Sequence, residues 1–164
     1  MPPECSFDIV SKLDLQEVDN AVQQTMKEIR TRYDFKGSVS EVTRSGNELT
    51  ILADDRFKLK SVMEVLNQRL AKRAVPLKAL KFKEPRESSG GTVTQSVDLQ
   101  EGIGSEQARE VVRIIKGLKT KAQPTIMGDQ LRVRGKSRDE LQAVMAHLRD
   151  QNLDFDIQFT NYRS

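Results

Sequence analysis

The sequence predicts an α+β chain made of two similar halves, and three observations carry that expectation. Leu13-Asp14-Leu15-Gln16-Glu17 returns as Val97-Asp98-Leu99-Gln100-Glu101, 84 residues later. Glu48-Leu49-Thr50-Ile51 returns as Gln130-Leu131-Arg132-Val133, and Ser61-Val62-Met63-Glu64-Val65-Leu66 as Ala143-Val144-Met145-Ala146-His147-Leu148, both at an offset of 82. Landmarks that keep one order with so little drift indicate an internal duplication, a module written twice.

In the first half, Ser6 to Ser11 alternates apolar and polar residues and predicts a strand. Asp14 is a good N-cap, and Glu17 three residues on suggests a capping box. Leu15, Val18, Val22, Met26, Ile29 and Tyr33 then recur at helical spacing, predicting a helix that ends near Arg32. Lys36 to Thr43 and Glu48 to Ala53 are strand-like runs joined through Arg44-Ser45-Gly46-Asn47, a hairpin signal. Asp54 or Asp55 can cap a second helix striped by Leu59, Val62, Leu66 and Leu70, stopped by Pro76. Leu77 to Phe82 completes the order β-α-β-β-α-β.

Residues 84–91 are rich in Gly, Ser and Pro and are expected to be a linker. The pattern then returns. Thr92 to Val97 predicts a strand, and Ser105 can cap a helix on Ala108, Val111, Ile115 and Leu118. Gln123 to Met127 and Gln130 to Arg134 flank Gly128-Asp129 as a hairpin. Ser137 and Glu140 form a capping box that opens a helix on Leu141, Val144, Met145 and Leu148. Phe155 to Phe159 is expected to be the closing strand.

Each half therefore predicts the split β-α-β module of the ferredoxin-like, RNP-like fold, two in tandem. In that module the first and last strands are neighbours. Thr92–Val97 can fold back beside Leu77–Phe82 across a short connection, because local loop closure costs little. The N-terminal strand would then go to the second half. Periodicity leaves both arrangements open. With the strands exchanged, the expected domains are 13–97 (body 13–83, strand 92–97 from beyond the linker) and 5–12 plus 103–164.

A hydrophobic content of 37% with 31% charged residues is ordinary for a soluble globular protein, and a net charge of +3 is too small for a nucleic-acid coat protein. Met1-Pro2-Pro3-Glu4-Cys5 has the pattern of neither a signal nor a transit peptide, and no stretch approaches the roughly 18 apolar residues of a membrane helix. Cys5 is the only cysteine, which excludes an internal disulfide and structural zinc. The expectation is a cytoplasmic protein, a monomer, with no membrane association.

Gly135-Lys136-Ser137 resembles the end of a phosphate-binding loop, but Gln130 stands where that motif needs its first glycine, so a nucleoside-triphosphatase is excluded. Lys136 and Arg138 nevertheless sit at a strand-to-helix turn that favours an anion; the plainer alternative is a capped helix with solvated charges. Arg30 to Gly37 interleaves Arg32 and Lys36 with Tyr33 and Phe35, which suits phosphate contact with base stacking. Alternatively both rings close the core. Arg56 to Lys83 holds nine cations against Glu64, and Arg109 to Arg138 nine against Glu110 and Asp129; these are phosphate-facing surfaces or solvated helix faces. Neither third strand carries the aromatics of an RNA-recognition module. His147 lacks an evident partner, Cys5 lacks an activating histidine, and no cluster has metal-ligand spacing. No catalytic residue, metal site or cofactor is expected, and no enzyme.

Ser6-Phe7-Asp8-Ile9-Val10, Arg32-Tyr33-Asp34-Phe35-Lys36-Gly37, Gly128-Asp129-Gln130, Gly135-Lys136-Ser137-Arg138-Asp139-Glu140-Leu141-Gln142 and Gln158-Phe159 resemble the bacterial YajQ family over nearly the whole chain. That resemblance implies two RNP-like domains with exchanged N-terminal strands and a nucleotide-binding role without known catalysis, tied in some members to cyclic dinucleotides and in others to RNA. The expected ligand is a nucleotide (GTP, ATP or a cyclic dinucleotide) or RNA, in a cleft between the domains. By their local chemistry Lys36, Lys136 and Arg138 would hold phosphate, with a base on Tyr33 or Phe35 and Arg32 completing the expected nucleotide-binding set. The alternative is an adaptor that docks a regulatory protein and binds no nucleotide.

Overall fold

The computed structural model describes residues 4–164; Met1, Pro2 and Pro3, the start of the segment expected to carry no targeting signal, lie outside the described residues. The chain forms two compact units, Leu13–Gln100 and Met1–Lys12 with Glu101–Ser164. Each has its own hydrophobic core.

In the unit Leu13–Gln100, helix α1 spans Leu15–Thr31 and α2 spans Arg56–Lys72. Asp14 caps α1 by accepting from the N–H groups of Gln16 and Glu17, and Asp55 caps α2 by accepting from Lys58 N–H. The expected reciprocal arm at Glu17 is turned elsewhere: its carboxylate takes a hydrogen bond from Asn20 and lies 3.6 Å from Arg73. Strands β2 (Glu41–Ser45) and β3 (Glu48–Ala53) form the hairpin on Gly46. Its first strand begins at Glu41, because residues 36–40 are a loop held by side chains described below. Pro76 follows the end of α2, which Ala74 terminates in the left-handed conformation with φ 58°. Leu77–Ala79 is a 3₁₀ turn, so strand β4 is only Leu80–Phe82. Within the expected linker, β5 (Arg86–Glu87) pairs with β6 (Val93–Leu99). The remaining order across the sheet is β2-β3-β6-β4. Leu49, Ile51 and Val97 meet Val18, Val62, Leu66 and Leu70 in the core. Each such side chain contributes about 1.5–3 kcal/mol by leaving water.

In the other unit the sheet order is β7-β8-β1-β9, with β1 Cys5–Val10, β7 Gln123–Met127, β8 Gln130–Gly135 and β9 Gln158–Arg163. The first strand therefore pairs with β8 and β9 and none of its pairs is with Leu13–Gln100. Helix α3 is Ser105–Gly117, with Gly104 at its N-cap and Ser105 as its first residue; the Gln107 side chain accepts from Gly104 N–H. Helix α4 is Arg138–Asp150. Phe7, Ile9, Leu131 and Val133 pack with Val111, Ile115, Leu141 and Leu148. The closing strand lies later than expected. Phe155 is buried in the core, and pairing starts at Gln158. No described helix is long and apolar enough to cross a membrane.

Candidate functional site

Four of the six expected site residues lie in the turn after α1. Arg32 closes that helix and forms a bidentate pair with Asp34, at 3.0 and 2.8 Å. Its guanidinium holds the Asp34 carboxyl below the ordinary value. Tyr33–Phe35 is a 3₁₀ turn, which changes the helical pitch and separates the two rings. Phe35 joins the core, with Lys58 Nζ 4.7 Å and Arg32 Cζ 5.2 Å from its ring centre. It offers no open face to a base. Tyr33 is 90% exposed, and Lys36 is exposed beside it. The loop continues through Gly37 (φ 73°) and is tied down by Asp54, which accepts from Ser38 Oγ, Val39 N–H and Ser40 Oγ. Burial opposes charge on Asp54, but these hydrogen bonds outweigh it and keep the carboxyl lowered.

The other two expected residues, Lys136 and Arg138, open α4. Ser137 Oγ accepts from Glu140 N–H, and Glu140 accepts from Lys136 N–H at 3.2 Å and from Thr120 Oγ at 2.8 Å. Donation by Thr120 lowers the Glu140 carboxyl, against its partial burial. The turn thus carries its own anion at one of its free backbone donors, and the Lys136 side chain stands exposed outside it. Gly135 permits this close packing, since a Cβ there would lie 2.8 Å from Leu141 Cδ2.

Of the six, Arg138 lines a groove of about 350 Å³ between α4 and β9. Arg138, Gln142, Met145 and Arg149 form its helical wall, at positions i, i+4, i+7 and i+11 on one face. Phe7, Phe159, Thr160, Asn161 and Tyr162 complete it. The strand wall depends on a bulge. Asp8 pairs with Thr160 but Ser6 with Arg163, so β9 carries one extra residue there, and Asn161 takes a left-handed φ of 56°. That extra residue turns Tyr162 to the side of the sheet that Phe159 occupies. Phe7 and Phe159 meet edge to face at 5.5 Å and 87°, and Arg149 Cζ sits 5.0 Å over Phe159. Tyr162 remains 41% exposed. Burial, then a hydrogen bond with the Cys5 side chain, push its phenol above the ordinary value, while the charge of Arg138 acts the other way. Neither Arg138 nor Arg149 has a carboxylate partner among the described residues. Other cations are neutralised: Arg56, Arg69, Arg73 and Lys83 of the first basic run each meet a carboxylate.

Among the described residues the groove holds cations and rings but no acid–base pair. His147 lies 3.3 Å from the Gln151 amide, on the same helix. No group of three His, Cys, Asp or Glu among the described residues could hold a metal ion. Gln142, Met145, Arg149, Phe159 and Tyr162, which line the groove, are not among the six residues expected from the sequence. Met145 belongs to the predicted apolar stripe of α4, and Gln142 and Arg149 flank it at helical spacing. Tyr162 was not legible, because the closing strand was expected to end at Phe159 and nothing local marks the bulge.

The family model described as "Nucleotide-binding protein YajQ-like" matches residues 5–163. The chain is 49% identical to a nucleotide-binding protein of Trichlorobacter lovleyi over 96% of its own length and 98% of that protein's. It is 50% identical to one of Geobacter sp. (strain M21), covering 97% and 99% of the two chains. To one of Heliobacterium modesticaldum it is 46% identical over the full length of both.

Proposed function

The chain belongs to the YajQ family, and on that premise we propose that it binds a nucleotide without transforming it, in the groove between α4 and β9. The observation that carries this is the pair Arg138 and Arg149, both without carboxylate partners among the described residues, flanking an exposed tyrosine and a cation-covered phenylalanine. Unneutralised guanidinium beside flat rings is the chemistry that recognises phosphate and base together. The names of the relatives point the same way. The role is that of a nucleotide-responsive regulator or an RNA-associated factor. The two units are ferredoxin-like modules that exchange their first strands, a reading supported by the pairing of β6 with β3 and β4 and of β1 with β8 and β9.

Titration calorimetry with GTP, ATP, cyclic di-GMP and a short single-stranded RNA tests the site. Saturable binding by the wild type that weakens at least tenfold in Arg138→Ala, Arg149→Ala and Tyr162→Ala is expected, with a steep loss as salt rises. Undiminished binding in all three variants would remove the ligand from this groove.

A second reading is favoured by the loop around Tyr33. Val39 (49% exposed) and Phe57 (74%) stand out there as well; Val39 N–H itself donates to Asp54, and Phe57 precedes Lys58, whose ammonium donates to the Asp34 carbonyl. An apolar surface of this kind suits an adaptor that docks a regulatory protein. Partner capture that survives high salt and is lost in Tyr33→Ala with Phe57→Ala would support it. Nucleotide binding lost in Tyr33→Ala and Lys36→Ala, but kept in the groove variants, would instead place the nucleotide on this loop.

A further inference from the structure

We propose that the α4–β9 groove takes a linear single-stranded oligonucleotide of at least three nucleotides, held by separate phosphates at Arg138 and at Arg149. The proposal rests on the reading of this groove as the nucleotide site and concerns what kind of nucleotide fills it.

Its basis is the shape of the groove. The two arginines stand eleven positions apart in α4, on one helix face, so their Cα atoms lie about 16 Å apart at 1.5 Å per residue. The facing strand from Phe159 to Tyr162 covers about 10 Å at 3.3 Å per residue. The groove is therefore elongated, and its two ends are alike. Arg149 lies over Phe159 at one end. At the other, Arg138 and Tyr162 both line the groove. Each end pairs a guanidinium with a ring, and Met145 and Gln142 lie between them on the helix.

The phosphates of a mononucleotide are contiguous and can satisfy one end only. Phosphates along a stacked strand advance about 3.4 Å per nucleotide, so a span of this length corresponds to several steps, fewer if the strand is extended. The Met145 thioether and the exposed Tyr162 ring offer bases a polarisable apolar surface. Gln142 presents both a donor and an acceptor, which tolerates different base edges. Such a surface recognises a strand with little sequence preference.

The test compares UMP, tripolyphosphate, cyclic di-GMP and the 5′-phosphorylated trinucleotides of uridine and deoxyuridine by titration calorimetry with the full chain. A linear trinucleotide is expected to bind at least tenfold tighter than UMP and than tripolyphosphate, whose charges are contiguous. Arg138→Ala and Arg149→Ala should each abolish that preference for length and reduce the slope of log K against log salt by about 0.7. Arg138→Lys and Arg149→Lys should restore part of the slope, which a merely structural role would not do. Preference for the ribose or the deoxyribose strand supports the class and names its source, and equal binding of the two supports a site that reads phosphates and bases without the sugar. Equal binding of UMP and the trinucleotides, or tighter binding of the cyclic compound, overturns the proposal. If that equal binding still weakens in the arginine variants, the groove remains the nucleotide site and only the ligand class fails. Failure of every probe to bind overturns both.

Discussion

Asp8 on β1 and Arg132 on β8 are register partners and an ion pair at once, with Arg132 Nε donating to Asp8 Oδ1 across 2.9 Å between residues 124 positions apart. The second Asp8 oxygen accepts from Asn161 Nδ2 at 2.8 Å, so one buried carboxylate ties β1 both to β8 and to the bulge of β9. Asp8→Ala is expected to lower the unfolding free energy by about 2 kcal/mol, the scale of a hydrogen bond to a charged group. It should also weaken ligand binding, because the bulge that turns Tyr162 loses its anchor. Urea unfolding and titration calorimetry check the two effects, and unchanged binding would separate the carboxylate from the groove.

The same carboxylate predicts a pH dependence. The Arg132 hydrogen bond, opposed by burial, holds the Asp8 pKa below its ordinary value in the folded state. A depressed pKa means that its stabilisation is complete above the unfolded value of about 3.9 and is lost as pH falls through the folded one. The stability difference between wild type and Asp8→Asn should therefore shrink as urea unfolding is repeated from pH 6 towards pH 2. A difference that stays constant over that interval would deny the linkage.

Glu140 contributes to the start of α4 through the Lys136 N–H and Thr120. Glu140→Ala should cost about 1 kcal/mol, as for loss of a cap. Hydrogen exchange at Lys136 and in the first turn of α4 should accelerate, while exchange in α1 should not. Acceleration throughout both units would point to a global effect instead.

Tyr33 and Phe35, two residues apart, should respond very unequally to truncation. Phe35→Ala removes a core ring and is expected to cost about 3 kcal/mol. Tyr33→Ala, at a 90% exposed position, should change stability by no more than about 0.5 kcal/mol. Thermal denaturation of both variants checks this, and comparable losses would mean that Tyr33 is buried in solution.

Gly102 has φ 75°, and a Cβ there would lie 2.6 to 2.9 Å from the Asp129 side chain. Gly91 has φ 86° with nothing within 4 Å of the added atom. Left-handed backbone costs an ordinary residue about 1–2 kcal/mol, and Gly102→Ala adds a clash to that cost. Gly102→Ala should therefore lower the melting temperature more than Gly91→Ala does; equal shifts would show that Asp129 moves aside freely.

The amino-acid sequence alone determined the elements whose causes are local. Asp14, Asp55 and Ser137 mark helix starts because a capping oxygen acts on N–H groups within three residues. Gly46 and Gly128 mark hairpins because the turn needs positive φ. The apolar stripes of α1 and α4 were legible for the same reason, as was the family through its runs of contiguous residues. Arg138 was singled out from its helix start, and it lines the groove between α4 and β9.

Only the tertiary structure decided which strands are neighbours and which side chains share a groove. Ser6–Ser11 and Thr92–Val97 alternate in the same way, so period-two patterning fits either to either sheet; β1 is assigned by pairing with residues more than 120 positions away. Tyr33 fitted the stripe of α1, but the helix ended at Thr31 and a 3₁₀ turn carried the ring outward. Arg149 and Tyr162 belong to one groove because α4 packs beside a strand with an extra residue. That residue, Asn161, is held by Asp8 from the far end of the chain, a cause that no local pattern contains.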